Sequence, residues 1–156
     1  MRTVSLFFLT VLTACGGPAR PDTSAADITV SAAPPTIVGR VCMGCGAGST
    51  DREAVTTLTI RETAGVAATL TSIAMTFRET GTNAVIASGE SSQASLGQLC
   101  GSSRLPASGS LTCQDLGVHY AASNAGKSGA ITYVVRVTDD RGNVVTREIV
   151  VAVSGA

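Results

Sequence analysis

From about residue 27 onward the chain alternates apolar and polar side chains with a period of two, the signature of strands that bury one face. The plainest case is residues 131–138, where Ile131, Tyr133, Val135 and Val137 form one row and Thr132, Val134, Arg136 and Thr138 the other. Residues 144–153 repeat the pattern, with Val145, Ile149, Val151 and Val153 on one face and Arg147 sharing that face near the turn. Asp139-Asp140-Arg141-Gly142-Asn143 lies between them, and Gly142 supplies the left-handed residue of a type I turn followed by a G1 bulge. These two segments predict a terminal hairpin.

Weaker versions of the same alternation predict the other strands. Residues 54–62 place Leu58 and Ile60 inward against Thr57, Thr59 and Arg61, and residues 70–78 place Ile73, Met75 and Phe77 inward against Ser72, Ala74, Thr76 and Arg78. The region around Gly65 joins them, and Gly81-Thr82-Asn83 turns the chain into a short strand over 84–88. Residues 108–114 give a further strand with Leu111 and Cys113 on one side. Residues 28–32 and 36–42 form an opening strand split by Pro34-Pro35, since proline belongs at an edge or a kink. In residues 92–99, Leu96 and Leu99 are three apart, which suits a helical turn or an irregular loop. Seven or eight such strands predict an all-β fold, most economically an antiparallel β-sandwich whose two sheets share a core about 10 Å thick.

The amino terminus follows different rules. Met1 and Arg2 precede a nine-residue apolar stretch, residues 4–12, too short for a bilayer span of about 20 residues. Then comes Leu12-Thr13-Ala14-Cys15-Gly16, which resembles the lipobox of bacterial lipoproteins. The resemblance implies diacylglycerol on the Cys15 thiol, cleavage before Cys15, and acylation of the new amino terminus. Each buried CH₂ contributes about 0.8 kcal/mol, so several acyl chains make a durable membrane anchor. Residues 1–14 are thus expected to be a signal peptide and residues 15–26 a lipidated tether, for which the Gly, Pro, Ser and Ala of residues 16–26 are suited. Residues 27–156 are expected to be the folded domain. Position 16 is Gly and not Asp, so in a Gram-negative cell the resemblance leans towards the outer membrane.

The run Tyr133-Val134-Val135-Arg136-Val137-Thr138-Asp139-Asp140-Arg141-Gly142-Asn143 resembles the last two strands of bacterial immunoglobulin-like and polycystic-kidney-disease-type domains. Thr59-Ile60-Arg61-Glu62-Thr63-Ala64-Gly65-Val66, followed by the strand over 72–78, is similar to a strand pair in such domains. The resemblance implies an immunoglobulin-like sandwich used as a spacer, an adhesive module or a binding surface, without a catalytic centre. The chain departs from antibody-type domains in lacking the core Trp and the inter-sheet Cys pair.

Composition narrows the choice of partner. The 156 residues carry 11 basic and 11 acidic side chains, with Lys127 the single lysine, so the basic footprint that binds nucleic acid is missing. With no Trp, two Tyr and three Phe, stacking platforms for bases or sugars are scarce. Twenty Thr, 16 Ser and 17 Gly suit a solvated β surface joined by polar turns.

Candidate chemistry centres on the cysteines. With Cys15 assigned to lipid, four remain: Cys42, Cys45, Cys100 and Cys113. Outside the cytoplasm thiols tend to be oxidised, and of the three pairings Cys42 with Cys45 and Cys100 with Cys113 is favoured, closing a small ring and a larger loop worth about 3 kcal/mol. Cys42-Met43-Gly44-Cys45 also has the spacing of zinc ligands and of redox pairs. A redox pair, however, wants a helix N-terminus, and the flanks here are Gly- and Ser-rich. His119, the only histidine, has Asp115 four residues before it, but no G-x-S-x-G accompanies it. Asp51, Glu53, Glu62, Asp139 and Asp140 are the carboxylates that would gather at one end of a sandwich to hold Ca²⁺, although Asp139 and Asp140 also suit the hairpin turn itself. Gly44-Cys45-Gly46-Ala47-Gly48 lacks the lysine of a phosphate loop.

The expectation is therefore a non-enzymatic envelope lipoprotein, with no catalytic residues, cofactor or metal, held to the membrane by lipid and meeting a protein or glycan partner through loops such as residues 42–51 or 89–104. The alternative is an envelope thiol-redox or metal-binding accessory protein using Cys42 and Cys45.

Overall fold

The computed structural model describes residues 25–43, 45 and 51–155. The predicted signal peptide, Cys15, most of the tether, and residues 46–50 of the first candidate loop lie outside the described residues. Ten strands and one α-helix are found among the described residues. They are β1 (Ile28–Ala33), β2 (Thr36–Val38), β3 (Arg40–Val41), β4 (Arg52–Glu62), β5 (Ala68–Glu79), β6 (Val85–Ser92), α1 (Gln93–Leu99), β7 (Arg104–Leu105), β8 (Ser110–Tyr120), β9 (Gly129–Asp139) and β10 (Val144–Ser154).

The strands form two sheets. In the first, β4 is central, with β8 along one side and β1 and β3 in succession along the other, all antiparallel to it. The second runs β2-β10-β9-β5-β6, with β7 also pairing with β5. The opening strand serves both sheets. Before Pro34-Pro35 it pairs antiparallel with β4, after them residues 36–38 pair parallel with β10, and the expected strand over 36–42 then breaks, because residues 40–41 return to the first sheet as β3 beside β4. Proline has no N–H to donate, so the ladder must stop there and the chain is free to cross between sheets. The peptide Ala33-Pro34 is cis, and the Thr56 hydroxyl donates to the Ala33 carbonyl at 3.1 Å. This is an immunoglobulin-like β-sandwich.

Its core follows the predicted rows. Leu58 and Ile60 from β4, Ile73 and Phe77 from β5, and Ile131 and Tyr133 from β9 are fully buried between the sheets. Across the core Phe77 of β5 meets Tyr120 of β8 edge-on with ring centroids 5.5 Å apart, a preferred aromatic geometry. The buried Tyr133 hydroxyl donates to the Leu116 carbonyl at 3.2 Å, a bond that links the sheets. Residues 93–99, open between helical turn and loop in the sequence, form α1, which buries Leu96 completely. The disulfide Cys100–Cys113 then fastens the end of α1 to β8 in the first sheet.

Most strands run a residue or two past the predicted bounds, but β6 and β8 extend four or more residues further at their ends, and β8 shows why. Between its pairs Cys113 with Leu58 and Leu116 with Thr56, β8 holds Gln114 and Asp115 against the single Thr57 of β4. This is a β-bulge, with Asp115 at φ 53°. The extra residue reverses the faces: Leu111 and Cys113 point inward before it, and Leu116, Val118 and Tyr120 point inward after it. An uninterrupted alternation from Leu111 would have turned His119 into the core. β6 likewise extends to Ser92 beyond the expected 84–88, as a mostly polar edge strand that carries little periodic signal.

Candidate functional site

The bulge places His119 on the outer face of the first sheet. There it lies opposite Glu53 of β4, which in turn lies opposite Arg40 of β3. Directly paired residues share a face, so Arg40, Glu53 and His119 form one cross-strand row. The Arg40 Nε donates to the Glu53 carboxylate at 2.7 Å. β3 and β4 form a hairpin that the Cys42 N–H extends by donating to the Asp51 carbonyl at 2.9 Å. The C-x-x-C therefore leaves the sheet beside this row.

Cys42 and Cys45 are joined as a disulfide. The sulfur of Cys45 lies 3.0 Å from His119 Nδ1. One donor atom from each of Cys42, Cys45, Glu53 and His119 falls within 4.8 Å of the others. Cys42, Glu53 and His119, with Arg40, Met43, Val55 and Asp115, line an open cleft of about 370 Å³. Met43 projects almost fully into solvent. The sequence pairs Cys42 with Cys45 and shows His119 apart from them, so their meeting is not legible in it, and it groups Glu53 with carboxylates for calcium.

The calcium grouping does not form. Glu53 is the second residue of β4 and Glu62 its last, which separates them by about 30 Å of strand. At the Glu62 end each carboxylate already has protein partners. Fully buried Glu62 accepts from the backbone N–H groups of Ala64 at 2.7 Å, Gly65 at 2.8 Å, Ser108 at 2.8 Å and Asp27 at 3.3 Å. Burial pushes its pKa up, but these donors together outweigh it and leave the carboxyl below its ordinary value. Asp139 accepts from the Asn143 side chain at 3.0 Å and from the N–H groups of Asn143 at 2.8 Å, Arg141 at 2.9 Å and Ala26 at 3.1 Å. Led by the Asn143 side chain, and against desolvation, these bonds bring its pKa down to about 2. Asp140 pairs with both guanidinium nitrogens of Arg104, which holds its carboxyl low. Donors of N–H type fill the oxygens that a cation would need, and the predicted turn role of Asp139 accounts for most of its bonds.

The two ends of the sandwich thus differ. The end bearing Glu62 and Asp139 receives the chain at Ala26 and Asp27, and Ala26 is itself buried. The opposite end carries the disulfide, His119, Glu53 and Arg40. The second candidate loop, residues 89–104, is occupied by the end of β6, by α1 and by the Cys100–Cys113 disulfide, with Leu96 its one buried residue.

No protein-family model matches the sequence, and no curated protein matches it. Among solved structures the chain is similar to murine CRIg, at 15% sequence identity and a TM-score of 0.41, covering 83% of this chain and 98% of that one.

Proposed function

We propose that the protein is a non-enzymatic, lipid-anchored envelope protein whose immunoglobulin-like sandwich serves as a binding module for a protein or glycan. The observation that carries this reading is the lipobox-like Leu12-Thr13-Ala14-Cys15, followed after only residues 16–25 by the buried Ala26 at one end of the sandwich. A tether of that length reaches at most about 35 Å. The end held by Glu62 and Asp139 then faces the membrane, and the cleft with Arg40, Met43 and His119 faces away from it, where a partner has access. In a Gram-negative cell, Gly16 favours the outer membrane.

The test is the intact mass of the full-length gene product extracted from membranes, with membrane fractionation of a Cys15→Ser variant beside it. A chain beginning at Cys15 with added acyl mass, and loss of the variant from the membrane fraction, is the expected result. An unmodified thiol at Cys15, or a variant that stays in the membrane fraction, overturns the anchor.

The contact between Cys45 and His119 favours a second reading, an accessory protein that uses Cys42 and Cys45 for thiol-redox or metal chemistry.

A further inference from the structure

We infer that reduction of the Cys42–Cys45 disulfide creates a zinc site formed by Cys42, Cys45, Glu53 and His119. This deepens the accessory reading and does not depend on the lipid anchor. Four donors on a tetrahedral zinc, with bonds of about 2.0–2.3 Å, stand about 3.3–3.8 Å apart. The four donor atoms here all lie within 4.8 Å of one another while two of them are still bonded together. Opening the disulfide lets the sulfurs move apart towards the required spacing, and the histidine nitrogen is already 3.0 Å from one of them.

The donor types also match. Two thiolates, one imidazole and one carboxylate suit zinc. The two thiolates and the Glu53 carboxylate carry three negative charges against the metal's two positive ones, and the Arg40 guanidinium on Glu53 supplies the third positive charge that makes the group neutral. Arg40 also orients the carboxylate, as outer partners of metal ligands do. The supports are rigid: Glu53 and His119 sit directly opposite each other in a sheet, and Cys42 is tied to Asp51 through its backbone. The two cysteines come from a C-x-x-C at the end of a strand hairpin, a spacing found in structural zinc sites.

The chemistry balances with a dithiol as reductant. Its two electrons and two protons break the bond between the sulfurs and leave two protein thiols, while the dithiol closes to its own disulfide. Zinc then displaces the two thiol protons as the thiolates bind it. In the oxidised form the sulfurs are bonded to each other and no thiolate is offered, so the same residues alternate between a disulfide and a metal site.

The experiment uses the full chain, oxidised or treated with dithiol under metal-free conditions, titrated with zinc alone and, separately, with cobalt(II). Mass analysis after alkylation reports which disulfide has opened. The expected result is one zinc per chain only after Cys42 and Cys45 are free, and a thiolate-to-cobalt charge-transfer band with the intense visible bands of four-coordination. His119→Ala and Glu53→Gln should each weaken zinc binding at least about tenfold, with unchanged circular dichroism. Equal zinc binding by the oxidised chain overturns the proposal, as does affinity unchanged in both variants. Opened Cys42 and Cys45 that take up no zinc also overturn it, yet leave thiol-redox chemistry standing. A Cys42–Cys45 disulfide that resists the dithiol removes the accessory reading altogether.

Discussion

Glu62 and Asp139 belong to different sheets, yet they accept hydrogen bonds from consecutive backbone amides, those of Asp27 and Ala26. The point where the chain enters the fold is thus held by two buried carboxylates, one from each layer. Each also closes a local turn, at residues 62–65 and 139–143. The same groups that end the strands therefore close the sandwich at that end.

Stability should fall in acid through these groups. A carboxyl with a folded pKa below its unfolded one adds stability that is fully present above the unfolded value and is lost as pH falls through the folded value. For Asp139 the interval runs from 3.8 down to about 2, and for Glu62 the loss begins near 4.5. Urea midpoints should be insensitive to both groups from about pH 7 to about pH 5.5 and then decline. Asp139→Asn should flatten the lowest part of that decline, and a curve parallel to wild type would show that Asp139 does not drive it.

Glu62→Gln replaces an acceptor oxygen with a donor nitrogen amid backbone N–H groups, leaving a buried donor without a partner. We expect a loss of about 2 kcal/mol, read as a lower urea midpoint at constant slope. A change below about 0.5 kcal/mol would mean that the turn and the neighbouring chain hold without this carboxylate.

The two disulfides should differ in both access and worth. Cys113 is fully buried, whereas Cys42 and Cys45 are partly exposed, so limiting dithiol should open Cys42–Cys45 first. Paired replacement of Cys100 and Cys113 by alanine should cost about 3 kcal/mol from the lost loop constraint. Alkylation with mass analysis orders the reductions, and denaturant unfolding measures the cost.

Gly117 and Gly97 should respond oppositely to alanine. A Cβ on Gly117 would lie 1.9 Å from the Ala54 carbonyl oxygen in the neighbouring strand, so Gly117→Ala must part β4 from β8 and should cost more than about 3 kcal/mol. On Gly97, inside α1, a Cβ meets nothing within 4 Å, and Gly97→Ala should stabilise by about 0.5–1 kcal/mol. Thermal melts of the two variants check both signs.

Tyr133→Phe removes the inter-sheet bond to Leu116 while keeping the ring in the core. The expected cost is about 1 kcal/mol, measured by equilibrium unfolding, and an unchanged midpoint would assign the residue's worth to its ring alone.

Much of this architecture was legible in the sequence, because alternation is a local property and burial of one face is its direct result. The rows Ile131 to Val137 and Ile73 to Phe77 needed no knowledge of their partners to be recognised as core. The hairpin at Gly142, with its φ of 85°, was equally local. The interruption at Pro34-Pro35 was visible too, but a missing N–H announces only that a ladder ends, and not which sheet the chain joins next.

What the sequence determined by itself was the longer strands, their inward faces as far as the bulge in β8, and the all-β class. Tertiary structure decided the assembly at the ends. A single extra residue at Asp115 turns His119 outward to face Glu53, and 74 residues of chain separate it from the Cys45 sulfur it meets. Periodicity carries no information across such a distance. The environments of Glu62 and Asp139 likewise depend on amides delivered from elsewhere in the chain, at Asp27, Ser108 and Ala26. A strand's faces follow from its own residues, whereas a site follows from which strands become neighbours and in what register, and those are set by packing of the whole chain.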